Sequence, residues 1–167
     1  MAGVEIKREV DYPATPDEVL ALYTDPAALE RKFTAIGARS FTLTSRAVSA
    51  SAAALAWHRT MSAEVPGVAA KVIPSEQTLD ELHAWERRDD GWRGEVEVKI
   101  SGTPVRMAGE ILLTAAEGGC HQEVRLEITV KVPLIGGRIA GMVAQSVEAS
   151  IAAEMAWNAR ELGGAEG

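Results

Sequence analysis

One cysteine, Cys120, in 167 residues excludes an internal disulfide and any zinc site built on cysteines. Three histidines, His58, His83 and His121, follow no metal-ligand spacing. Basic residues are outnumbered, with 17 Lys and Arg against 24 Asp and Glu and a net charge of −7. That balance argues against nucleic acid, because phosphate binding needs clustered cations. It argues equally against an anionic membrane surface. No apolar run reaches spanning length, since Arg138, Glu148 and Glu154 interrupt the most apolar C-terminal stretch. The opening MAGVEIKREV lacks the apolar core of a signal peptide, so the expected compartment is the cytoplasm. GGRIAG lacks the lysine and hydroxyl residue of a phosphate-binding loop, and no Gly-x-Ser-x-Gly elbow occurs. No cofactor, metal or catalytic residue is expected on these grounds.

What remains is ordinary for a globular chain: 47% hydrophobic and 25% charged residues, enough for one domain with a real core. The expected domain spans residues 1–163, with a disordered tail over 164–167. The clearest pattern runs from Cys120 to Val132. Cys120, Gln122, Val124, Leu126, Ile128, Val130 and Val132 alternate with His121, Glu123, Arg125, Glu127, Thr129 and Lys131. This is a strand with one apolar and one charged face. At Pro133 the period changes. Ile135, Ile139, Met142, Val143, Val147, Ile151, Met155, Asn158 and Leu162 recur at helical spacing. A helix from about Leu134 to Leu162 would be roughly 40 Å long at ~1.5 Å per residue. Such a helix needs a wide apolar surface, and the preceding strands supply one.

Upstream, Val4 to Tyr12 alternates as a strand until Pro13. Thr15, Pro16 and Glu18 make a capping box, and Asp25 with Pro26 restarts a second short helix to about Ala35, stopped by Gly37. Strands are expected over Ser40–Val48, about Ala54–Ala63, Glu76–Arg87, Trp92–Ser101 and Val105–Ala115. The alanines of SASAAALAWHRTMSAE would equally suit a helix. Its position between strands decides for strand. Val65 to Ile73 reads as a connection with one helical turn after Pro66. Short turns between the later strands make an antiparallel meander, and the helices then cover one sheet face of an α+β fold.

Those elements, with YPATPDEVLALYTDPAALERKF followed by GA, VPGVAAKVI, and the PLIGG that opens the long helix, resemble the START-like helix-grip superfamily. This is the superfamily of Bet v 1-type proteins, polyketide cyclases and lipid-transfer domains. Within it the text is similar to a bacterial family of unknown function. The resemblance covers Val4 to Leu162. It implies a seven-stranded curved antiparallel sheet, with two short helices and a long C-terminal helix across the concave face. It also implies a hydrophobic or amphipathic small-molecule ligand between helix and sheet. The pocket mouth would lie near Val65–Pro74 and the start of the terminal helix. None of these motifs is catalytic, so they carry a fold and not a reaction.

Alternation then selects a cavity lining. Trp57, Arg59 and Met61 point inward from one strand, with Glu81, His83 and Trp85 from the next. Val98, Met107, Ile111 and Leu126 come from the later strands, and Ile139, Met142, Val143 and Val147 from the helix. Arg59, Glu81 and His83 would form a polar cluster in an apolar cavity. Imidazole beside carboxylate suits acid–base work, and the guanidinium suits a ligand carboxylate. The alternative is a mutually satisfied polar group, or a one-residue slip that sends all three to solvent. Cys120 reads as a small buried hydrophobe. Gly136, Gly137 and Gly141 either soften a gate at the helix start or allow close packing there. The leading expectation is a non-catalytic carrier of a lipid- or polyketide-like molecule. The competing ones are a cyclase or dehydratase-type enzyme using the same cavity, and an interaction module with a filled core.

Overall fold

The computed structural model describes residues 3–163; the expected tail at 164–167 lies outside them. Strand β1 (Gly3–Tyr12) is followed by helices α1 (Pro16–Thr24) and α2 (Pro26–Ala35). Strands β2 (Ser40–Val48), β3 (Ala52–Ser62), β4 (Glu76–Arg88), β5 (Gly91–Ile100), β6 (Val105–Ala116) and β7 (Gly119–Val130) come next. Helix α3 (Gly136–Glu161) ends the fold. All strand pairings are antiparallel, in one seven-stranded sheet of order β1-β7-β6-β5-β4-β3-β2. The α+β helix-grip architecture expected from the sequence is therefore the observed one.

Local chemistry explains the boundaries. Thr15 and Glu18 exchange the two hydrogen bonds of a capping box at α1, at 3.1 and 2.8 Å. The Asp25 carboxylate accepts from the Ala27 amide, so α2 starts as a new helix at Pro26. The chain then crosses to the far edge of the sheet, leaving β1 and β2 on opposite edges. The disputed alanine-rich stretch is a strand because each of its residues from Ala52 to Ser62 finds a partner on β4. Tertiary pairing overrides the helical preference of alanine.

Helix α3 departs from the expected start. It begins at Gly136, two residues after Leu134. Leu134 sits at φ 70 with its side chain fully exposed, and Ile135 caps the helix without a side-chain hydrogen bond. The turn is set by close packing. A Cβ on Gly136 would lie 2.4 Å from the Val130 carbonyl oxygen. Of the two readings of the glycines, Gly136 thus serves close approach, whereas a Cβ on Gly141 would meet nothing within 4 Å. From there α3 packs on β1, β7 and α2. Ile139, Ala140 and Ala144 are buried in this contact. Val19, Leu29, Val105 and Ile128 are fully buried in the same hydrophobic cluster.

Candidate functional site

Between α3 and the concave face lies a cavity of about 490 Å³. It follows from where α3 rests. The helix presses on β1 and β7 at one side of the sheet, and β3, β4 and β5 curve away beneath it. Trp57, Arg59 and Met61 of β3 line the cavity, with Glu81 and His83 of β4, Val98 of β5, Met107 and Ile111 of β6, and Leu126 of β7. Met142, Val143 and Val147 form part of its α3 wall. Val65, Pro66, Ala69 and Ile73 line it from the β3–β4 connection, where Glu64 and Pro66 are exposed. The first turns of α3 do not reach it, and the helical lining starts at Met142.

Two residues expected in the lining are elsewhere. Trp85 points to the concave side, but near the end of β4, where it is sealed against Tyr23 at 5.6 Å between ring centroids. Gly94 on the neighbouring strand leaves the space for that indole. Ile139 belongs to the first turns of α3, which touch the sheet directly and leave no gap.

The polar part of the wall starts with a buried ion pair. Arg59 Nε donates to Glu81 Oε2 at 2.6 Å, and both side chains are buried. His83 Nε2 lies 3.4 Å from the other carboxylate oxygen. Burial pushes the Glu81 carboxyl upward, but the Arg59 charge and the His83 contact outweigh it and hold it at about 2. The Arg59 guanidinium lies over Phe33 at 4.3 Å, and Trp57 stacks on His83 at 4.4 Å. Arg59 Nη1 and Trp57 Nε1 are buried without an acceptor.

The sequence analysis missed the rest of the polar wall. Lys32 of α2 is 1% exposed. Its ammonium stands 4.5 Å from the Tyr23 ring centroid and 3.3 Å from Asn158 Oδ1. Burial lowers its pKa, against the pull of Glu154 and Glu81. Glu154 of α3 borders the cavity and is half-buried. Burial raises its pKa, opposed by the charges of Lys32 and Arg59. Among the described residues no hydrogen bond or ion pair reaches its carboxyl. Behind these, Asn158 Nδ2 donates toward Tyr12 and Tyr23, at 3.2 and 3.1 Å, and Tyr23 donates to Gln122 Oε1 at 2.7 Å. Burial pushes Tyr12 up to about 12 and Tyr23 well above its ordinary value. A signal existed for three of the residues missed. Lys32 sits on the Ala28, Leu29, Phe33 stripe, while Gln122 and Asn158 interrupt apolar stripes, and a polar residue in such a stripe is the informative exception.

No group of three or more His, Cys, Asp or Glu able to hold a metal occurs among the described residues. Among the described residues no helix is long and apolar enough to cross a membrane. Cys120 is buried, and burial pushes its thiol up to about 11. His121 is on the outer face, 2.6 Å from Asp11 and 2.8 Å from Glu9.

A seven-stranded antiparallel sheet gripping a C-terminal helix is the START-like, helix-grip fold. Solved structures agree. A protein from Thermus thermophilus superposes with a TM-score of 0.65 at 16% identity, covering 95% of this chain and 97% of its own. The Zhui aromatase/cyclase from a Streptomyces species gives 0.67 at 12%, covering 96% and 93%. A START superfamily protein from Mycobacterium smegmatis gives 0.57 at 13%, covering 95% and 98%. At these identities the likeness establishes the fold alone. No curated protein matches the sequence. The chain belongs to the family described as protein of unknown function (DUF2505), whose pattern matches residues 7–160.

Proposed function

We propose that this protein binds or carries a hydrophobic small molecule, lipid- or polyketide-like, in the cavity between the sheet and α3. The observation that carries the reading is the cavity itself. About 490 Å³ of space is walled mainly by Val98, Met107, Ile111, Leu126, Met142, Val143 and Val147, with a few polar groups gathered on β3, β4, α2 and α3. Small-molecule sites have this makeup: an apolar lining for affinity and a few polar groups for orientation. An open cavity of that size speaks against the filled-core interaction module. The net charge of −7 supports a ligand other than nucleic acid. We place the protein in the cytoplasm as part of the same reading.

Native mass spectrometry of the purified protein, followed by denaturation, tests it. An apolar compound released on unfolding supports the reading. If hydrophobic probes neither co-purify nor bind on addition, the reading falls.

A second reading has one specific observation behind it. Arg59, Glu81 and His83 form a contiguous chain of titratable groups along the cavity wall, and an aromatase/cyclase shares the fold. A cyclase or dehydratase-type enzyme would use His83 for proton transfer and Arg59 to hold a developing oxyanion. His83→Ala separates the two readings. An enzyme loses turnover with ligand affinity retained, whereas a carrier has no turnover to lose.

A further inference from the structure

Four formally charged side chains border the cavity: Lys32, Arg59 and Glu81, all buried, and Glu154, which is half-buried. With histidine counted as uncharged, two are cationic and two anionic, so the polar wall is formally neutral. Its other acidic lining residue, Glu64, is exposed on the β3–β4 connection. Only one ion pair of the two is closed. Arg59 and Glu81 are in contact, while Lys32 and Glu154 have no ion-pair contact within 4 Å. Each feels the charge of the other across the space between α2 and α3. A ligand that brings a charge into this wall leaves one buried charge uncompensated, which weakens its binding. An uncharged ligand leaves the balance intact.

The unpaired polar atoms narrow the chemistry further. The Lys32 ammonium has a single hydrogen-bond acceptor, Asn158 Oδ1, for its three N–H groups. The Glu154 carboxyl has no hydrogen-bonding neighbour among the described residues. Buried donors and acceptors left open favour a ligand that supplies the missing partners. The missing partners are a lone pair for the Lys32 ammonium and a proton donor for Glu154, both of which line the cavity. An oxygen that both accepts and donates meets both demands.

Resting on the carrier reading above, we propose that the cavity selects uncharged amphiphiles whose polar end is a hydroxyl-type oxygen, and rejects the fatty acid and the alkylammonium of the same length. The closed Arg59–Glu81 pair is the reason an anion is not welcomed by Arg59: that guanidinium is already matched by Glu81. The open Lys32–Glu154 pair holds the polar end from two sides.

Calorimetric titration of the whole protein with 1-octanol, octanoate and octylammonium at pH 7 tests the proposal. Octanol is expected to bind about tenfold or more tighter than either ion. The charge variants provide the second arm. Glu154→Gln leaves an excess cation and shifts the preference toward octanoate. Lys32→Met leaves an excess anion and shifts it toward octylammonium. An ion that binds wild type most tightly overturns the proposal, as do variants whose ranking stays unchanged. Equal binding of all three keeps the carrier reading and removes this one. Binding of none of the three overturns both.

Discussion

Arg59 and Glu81 meet diagonally across β3 and β4. Glu81 stands opposite Trp57 in the ladder, and Arg59, two residues along, reaches back to its carboxylate at 2.6 Å. The same register lets Trp57 stack on His83, whose own cross-strand partner is Leu55. Two interleaved diagonals thus fix four side chains on one patch of wall.

Removing one member of the ion pair strands the other. Glu81→Ala leaves the Arg59 guanidinium buried beside Phe33 with its charge unmatched. A destabilisation of about 3–5 kcal/mol is expected. Urea unfolding of Glu81→Ala beside the double variant Arg59→Met with Glu81→Leu measures it. The double variant should lose less, because no lone charge remains.

The same carboxyl sets an acid limb. Its folded pKa of about 2 lies below the ordinary 4.5. The unfolded chain therefore binds the proton first, and the stabilisation is full above pH 4.5 and disappears as pH falls toward 2. Glu154 works in the opposite sense. Burial raises its folded pKa, so its cost is absent below 4.5 and complete above its folded value. Glu154→Gln should therefore stabilise the protein at pH 7 and lose that advantage at about pH 4. Thermal melts of both proteins across that range decide it. Equal gains at the two pH values would sink the assignment.

Gly136 and Gly141 are expected to respond with opposite sign to alanine. Gly136→Ala drives a Cβ to 2.4 Å from the Val130 carbonyl oxygen. The start of α3 must lift off the sheet, and stability falls. Gly141→Ala meets nothing within 4 Å. It should gain up to about 1 kcal/mol from helix propensity. Denaturant midpoints of the two single variants provide the comparison.

Filling the cavity should separate binding from folding. Ile111 of β6 and Val98 of β5 both line the open space. Val98→Trp places an indole where a ligand would lie. Uptake of an apolar probe should fall at least about tenfold, while the melting temperature holds or rises because vacant volume is replaced by contacts. Ile139→Ala is the reciprocal control. It sits outside the cavity and is fully buried, so it should cost about 2–5 kcal/mol and leave the ligand space unchanged. Ligand uptake normalised to folded protein distinguishes the two.

Much of the architecture was legible because it rests on period and punctuation. The alternation from Cys120 to Val130 defined the face of β7, the Thr15–Glu18 box placed α1, and Asp25–Pro26 placed α2. Misplaced boundaries came where tertiary contact intervened. Leu134 fits a helical period, yet the approach of Gly136 to Val130 forces the chain through positive φ just before α3. In the lining, strand parity assigned Trp85 to the correct side and the wrong place along it. Parity tells which way a side chain points but not how far along the strand the cavity extends.

The sequence alone determined the direction of each side chain: which residues of β3 and β4 turn to the concave face, and which stripe of α3 turns to the sheet. Local backbone periodicity sets those directions and needs no distant partner. The tertiary structure alone decided how far apart the layers stand. α3 rests on β1 and β7 through Gly136 and Ile139 and leaves space above β3 to β5. It also decided that Lys32 from α2 and Glu154 from α3 come to border the same cavity as Arg59 and Glu81. Those four residues are separated by up to 122 positions in the chain. Their convergence depends on the curvature of the sheet and the path of two helices over it, which no local pattern in the sequence encodes.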